Sequence, residues 1–496
     1  MGLNGEAIAK VQNYRQAAAS LLLYQSVLSA EVGQTFVNLL EILAGTQLAS
    51  NSSDAAIATH PDKRTRKLAC LRAYGQWFTA LANQRQSWQH HLITQILRAD
   101  NAFSRQVSAP KFSRPLINSA PTQPIPDSSA APKTSCATTG ISLTENELAN
   151  RLTPGLLQAV HHDLAILHSL YHLPVTQLSE WVHQVCGEPA LPVMQPLSES
   201  KLPVTFPYEP EWTDAPRSLA TYYRNHGVGI FGQYIAFRWQ PTAANHATNS
   251  FPTGQLIGVE HSDPIQLREL IGYEHPKQQL IQNTEFLLRG YRAQNVLLYG
   301  SRGAGKSSLV KALLTAYHAQ GLRLVEVPKA HLSSLPQIVE PLRQTTQKFI
   351  IFVDDLSFED DDEAFKALKV VLEGGITARP QNVVVYATSN RRHLIREFHS
   401  ERPRPKDAEE IQAWDTLQEK LSFSDRFGLT LTFTPADQPT YLNIVHALTE
   451  QAGLTIDIEE LDWRARQWAT RHNGRSGRTA RQFVDFLIAE SATTQP

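Results

Sequence analysis

Asn295-Val296-Leu297-Leu298-Tyr299-Gly300-Ser301-Arg302-Gly303-Ala304-Gly305-Lys306-Ser307-Ser308 passes from an apolar strand into a glycine-rich turn. The apolar positions Leu309, Leu313 and Leu314 then continue at helical spacing. Residues 300–307 fit G-x-x-x-x-G-K-S/T in the context that motif requires, a strand before it and a helix after it. Glycines let backbone N–H groups turn inward around phosphates, and the helix N-terminus adds partial positive charge. The expected contacts to a nucleotide are Gly300, Ser301, Arg302, Gly303, Ala304, Gly305, Lys306, Ser307 and Ser308. Lys306 is expected to reach the β- and γ-phosphates and the Ser307 hydroxyl to hold Mg2+. A glycine turn with an accidental lysine does not account for strand, loop and helix agreeing.

A nucleotide site of this kind needs a second apolar strand ending in acid, and Phe349-Ile350-Ile351-Phe352-Val353-Asp354-Asp355 supplies it. Ligands of open α/β sheets bind at the carboxyl ends of the strands. Asp354 is therefore expected to hold Mg2+, and Asp355 to orient and deprotonate the attacking water. A solvated acidic loop explains Glu359 to Glu363 but not two carboxylates set directly at the strand end. Leu322–Val327, Val383–Ala387 and Leu429–Phe433 are further short apolar runs with helical stretches between them. Together they predict an α/β fold, a parallel sheet covered on both faces.

The chain has 496 residues, 42% hydrophobic and 19% charged, which excludes wholesale disorder and a fibrous repeat. Forty-six basic residues against 47 acidic give a net charge of −1. That balance gives no support to a nucleic-acid partner. The basic clusters at Lys63–Lys67, Arg391–Lys406 and Arg464–Arg481 leave local DNA contact as an open alternative. Three scattered cysteines make neither a disulfide framework nor a zinc site, which suits a reducing cytosol. The apolar stretch Ala17–Tyr24 is too short to span a bilayer, so a cytoplasmic protein without a membrane partner is expected. Composition divides the chain into a helical region 1–103, a Pro/Ser-rich linker 104–141 and a helical segment 142–187, where Ser142 and Glu145 form a capping box. A mixed connector 188–265, a nucleotide-binding core 266–434 and a helical lid 435–496 follow. His161, His168 and His172 share one helical face beside an apolar stripe. With Asp163 as the single carboxylate near them, they read as its polar flank and not as a metal site.

With both motifs in place, the remaining landmarks resemble the AAA+ ATPase superfamily. Leu270-Ile271-Gly272-Tyr273-Glu274 looks like the segment lining the adenine pocket, which makes Ile271 and Gly272 expected nucleotide contacts. Thr388-Ser389-Asn390 is similar to sensor 1, Ser424-Asp425-Arg426-Phe427 to the arginine-finger segment, and Gly474–Arg478 to sensor 2, with Arg481 as runner-up to Arg478. More narrowly, FVDDLSFE at 352–359, LEGGITAR at 372–379 and ATSNRRHL at 387–394 resemble a bacterial ATP-binding family catalogued as domain of unknown function 815. The resemblance implies a P-loop AAA+ module with a helical lid, using ATP and Mg2+. Its catalytic set would be Lys306, Asp355, Asn390, Arg426 and Arg478. It implies ATP hydrolysis coupled to remodelling or loading a macromolecule, by a homo-oligomer in which Arg426 serves the adjacent subunit. Most AAA+ enzymes carry Glu where this chain has Asp355. The alternative is therefore a slow switch whose region 1–217 binds a protein or DNA partner. A small-molecule kinase leaves Asn390, Arg426 and Arg478 unexplained.

Overall fold

A computed structural model describes residues 3–45, 63–109, 148, 151–187, 189, 191–194, 212, 215–242, 254–356, 362–373, 380–390, 426–472 and 474–494. The chain divides into two compact units at Gln233/Tyr234.

The first unit is helical. It comprises α1 (Gly5–Ala19), α2 (Glu31–Leu43), α3 (Lys63–Gln84), α4 (Trp88–Arg98), α5 (Ala102–Ser108), α6 (Pro154–Tyr171), α7 (Val175–Cys186), α8 (Ala215–His226) and the single turn α9 (Ile230–Gln233). The apolar faces of α1 to α8 share one core, so the helices on either side of residues 110–147 belong together. Phe36 stacks on Trp88 with ring centroids 4.1 Å apart, and both are fully buried. The carboxylate of Asp163, on α6, is buried and accepts the backbone N–H groups of Leu22, Leu23 and Tyr24 at 2.6–3.0 Å. It is thereby committed to holding the turn after α1. His168 packs its ring against His172 and Trp212, in keeping with a flank role.

Two expected boundaries move. The first helical region runs past residue 103, because Asn101 and Ser104 form a capping box and Phe103 and Val107 are buried. The connector 188–265 is divided between the units: α8 joins the helical core, while Ala236 onward joins the sheet. Most of the expected linker, the Ser142/Glu145 box and the basic run 391–406 lie outside the described residues.

The second unit is built on a seven-stranded sheet. Its strands are β1 (Ala236–Pro241), β2 (Gly254–Gly258), β3 (Val296–Gly300), β4 (Leu322–Glu326), β5 (Lys348–Val353), β6 (Val383–Ser389) and β7 (Leu429–Phe433), in the order β2-β1-β4-β5-β6-β3-β7. All pairings are parallel except the edge pair β1–β2. β5 and β6 bury nearly every side chain, as central strands covered on both faces must. The helices α10 (Glu274–Leu288), α11 (Lys306–Tyr317), α12 (Leu335–Arg343) and α13 (Asp362–Glu373) alternate with the strands. β7 leads into α14 (Gln438–Gln451), α15 (Ile458–Arg471) and α16 (Gly477–Thr494), which close on their own core of Tyr441, Val445, Leu448, Ala465, Phe483 and Leu487. This is the expected P-loop α/β architecture with a helical lid. Among the described residues no helix is long and apolar enough to cross a membrane.

Candidate nucleotide site

β3 enters the phosphate loop between β6 and β7, where the crossovers diverge and a crevice opens at the carboxyl edge. Gly300 admits no other residue: its φ is +141°, and a Cβ there would lie 1.9 Å from the Phe433 carbonyl oxygen. That close approach lets Ser301 N–H donate to the same oxygen at 3.0 Å. Gly303, at φ +78°, meets the lid, where an added Cβ would fall 2.8 Å from Ser476 Oγ. Arg478 N–H donates to Gly303 O at 3.2 Å, so α16 begins against the loop itself.

Lys306, the first residue of α11, is buried and donates through Nζ to Gly300 O (2.9 Å), Ser301 O (2.8 Å) and Asn390 Oδ1 (3.3 Å). Burial pushes its ammonium below the ordinary lysine range; Asp354 and Asp355 oppose that fall and Arg302 adds to it. The Ser307 hydroxyl donates to Asp354 Oδ1 at 2.6 Å. Thr388 Oγ1 donates to the same oxygen at 2.5 Å and accepts the N–H of Asp355 at 3.0 Å. Asn390 Nδ2 donates to Asp355 Oδ1 at 2.6 Å. Asp355 sits at φ +50°, a left-handed conformation that aspartate and asparagine tolerate better than most residues.

These groups face a cavity of about 820 Å³ between the sheet edge and the lid. Of the residues singled out in the sequence, Ile271, Gly272, Arg302–Ser308, Asp354, Asp355, Asn390, Arg478 and Arg481 line it. Gly300 and Ser301 contribute through the carbonyls that hold Lys306. Arg426 is not among the lining residues and sits before the amino end of β7, the edge of the sheet remote from the cavity. Ser424 and Asp425 lie outside the described residues.

Three participants had no role of their own in the sequence reading, Tyr273 appearing there only within the pocket-lining segment. Thr388, quoted only as part of a motif, clamps both acids; β5 and β6 pair Val353 with Ala387, so the next register position sets Thr388 beside Asp354. Tyr273, at φ +57°, donates its hydroxyl to Thr434 O at 2.6 Å and so ties the cavity wall to the segment leading into the lid. Glu269 pairs with Arg481 at 3.2 Å across the cavity rim.

Ser307 and Asp354 offer oxygen donors only, which suits a hard divalent cation. Among the described residues no group of three His, Cys, Asp or Glu could hold a metal by itself. Phosphate oxygens and water would complete such a shell, as at other P-loops. The first-turn N–H groups of α11 have no carbonyl within the helix to bond and point to the loop. The residues fit both nucleotide and magnesium.

Fold and site together define a P-loop module of the AAA+ type. The chain belongs to the family described as Protein of unknown function (DUF815), whose model matches residues 233–491. No curated protein matches it. Solved structures similar to it include Thermotoga maritima RuvB, titled a Holliday junction branch migration motor, at 15% identity, covering 45% of this chain and 72% of that one with a TM-score of 0.29. Two single-substitution forms of the same protein align at 16% and 14% identity, with the same coverage and TM-score.

Proposed function

We propose that this chain binds ATP with Mg2+ and hydrolyses it, using the turnover to remodel or load a macromolecular partner. The observation that carries the reading is the connected set Lys306–Asn390–Asp355 and Ser307–Asp354–Thr388, assembled from the first turn of α11 and the carboxyl ends of β5 and β6. Leu270, Ile271, Tyr273, Ile444 and Leu448 give the cavity an apolar end suited to a purine. Lys306 holds the β- and γ-phosphates, Ser307 and Asp354 hold the cation, and Arg478 adds positive charge from the lid. Bound Mg2+ supplies charge neutralisation on the phosphate oxygens. Asp355 takes the proton of the attacking water, and Asn390 orients that carboxylate. Arg426 serves the site of an adjacent copy in a homo-oligomer, and residues 1–217 take the partner.

One observation favours a second reading, a slow-turnover switch. Asp355 is one methylene shorter than glutamate, and its Oδ1 is engaged by Asn390. The water must then approach closer, or the base acts less often.

Direct titration tests the common premise. Lys306→Ala should abolish Mg-ATP binding that the parent protein shows, because it removes the buried charge aimed at the phosphates. Unchanged affinity would overturn the assignment. Turnover by the parent protein with and without candidate partners then separates the readings, near zero throughout favouring the switch.

A further inference from the structure

The phosphate loop carries a second cation that a triphosphate-binding loop does not require. Arg302 lies at the tip of the turn between Gly300 and Gly303; it is exposed and lines the cavity. The loop folds so that the carbonyls of Gly300 and Ser301 both accept from Lys306 Nζ, which brings the peptide just before Arg302 onto the ammonium. Arg302 and Lys306 thus both line the same cavity. An anion placed in that cavity is attracted by both cations.

We infer that Arg302 is the group that reads the terminal phosphate from within the chain, gripping the γ-phosphoryl oxygens of a nucleoside triphosphate and standing idle over a diphosphate. The assignment rests on the ATP reading above. Along the loop, the N–H groups at the start of α11 serve the inner phosphates and Lys306 serves the junction between β and γ. A guanidinium rooted at the loop tip, beyond Lys306, is left facing the outermost phosphoryl group. Its planar fork matches phosphate oxygens in pairs, which an ammonium cannot do. The other arginines are differently placed. Arg478 lines the cavity from the lid and not from the loop, Arg481 is already bound to Glu269 at the rim, and Arg426 stands beyond the opposite edge of the sheet. A cation at Arg302 also distinguishes ATP from ADP before any second copy of the chain is present.

The experiment is a titration of the full chain, Arg302→Ala and Arg302→Lys with Mg-ATP and with Mg-ADP. Arg302→Ala should lose on the order of tenfold or more in affinity for ATP and change by no more than about twofold for ADP. Arg302→Lys should fall between, since it keeps the charge and loses the fork. Retained ADP binding shows that the pocket is folded. Equal losses for both nucleotides, or ATP affinity unchanged in Arg302→Ala, overturn the role of Arg302 while leaving ATP binding intact. A parent protein that binds neither nucleotide overturns the ATP reading itself, and this inference with it.

Discussion

At Asp355 backbone and side chain are fixed by different neighbours. Its N–H is held by Thr388 and its carboxylate by Asn390, while φ stays at +50°. A non-glycine residue in that region carries about 1–3 kcal/mol of strain, sustained only when the surroundings over-determine it. Asparagine tolerates the same conformation and has nearly the same shape, so Asp355→Asn is the substitution that removes the base and little else. It should bind Mg-ATP like the parent and hydrolyse it on the order of 10²-fold more slowly or worse. Full turnover by Asp355→Asn in a phosphate-release assay would move the role of base elsewhere, with Glu359 next in line. The pair Asp354–Asp355 was legible in sequence because an apolar strand that stops on two acids is unusual. Thr388 was not, because its role depends on which strand lies beside β5, and strand order is set by packing between segments 34 residues apart.

Among the elements, strands with continuous apolar runs and helices with strong caps were legible, since burial and capping both leave local patterns. β7 has the bounds its apolar run suggests. β1 was less so: it lies in the mixed connector 188–265, where residues 230–233 form a helical turn and only Ala236 onward pairs, parallel to β4. Helix α4 shows what local pattern leaves out. Its His91 is wholly buried, stacks on Trp88 and hydrogen-bonds Gln84 through Nδ1 at 3.2 Å. Burial, reinforced by Arg98 and His90, pushes it down to about 4 from 6.5. In the unfolded chain His91 takes its proton near pH 6.5, and in the folded chain only near 4. The helical unit therefore keeps this contribution in full above pH 6.5. It loses the contribution progressively as pH falls towards 4, by at most about 3 kcal/mol. Hydrogen exchange of residues 88–98, corrected for intrinsic rates, should show protection falling across that window. In His91→Gln the fall should be shallower, and parallel profiles would mean that His91 does not couple to folding.

At the scale of the whole molecule, the cavity and Arg426 stand at opposite edges of one sheet. β7 runs from the Arg426 side to Phe433 on the cavity wall, and its five residues alone span roughly 16 Å. No side chain closes such a gap, so a finger role for Arg426 requires a second copy of the chain, in a head-to-tail contact. Such fingers contribute on the order of 10³–10⁵ in rate. Arg426→Ala should bind ATP nearly normally and hydrolyse it poorly. Lys306→Ala has the complementary lesion, with no ATP of its own but an intact arginine to offer. Mixing the two inactive proteins should restore part of the turnover, because a Lys306→Ala copy can complete the site of an Arg426→Ala neighbour. Subunits must associate for this, so the restored activity per mole of protein should rise with total concentration. Mixed oligomers that form by size analysis and yet never turn over ATP would overturn the trans role. Arg426 would then serve the packing ahead of β7 and not chemistry.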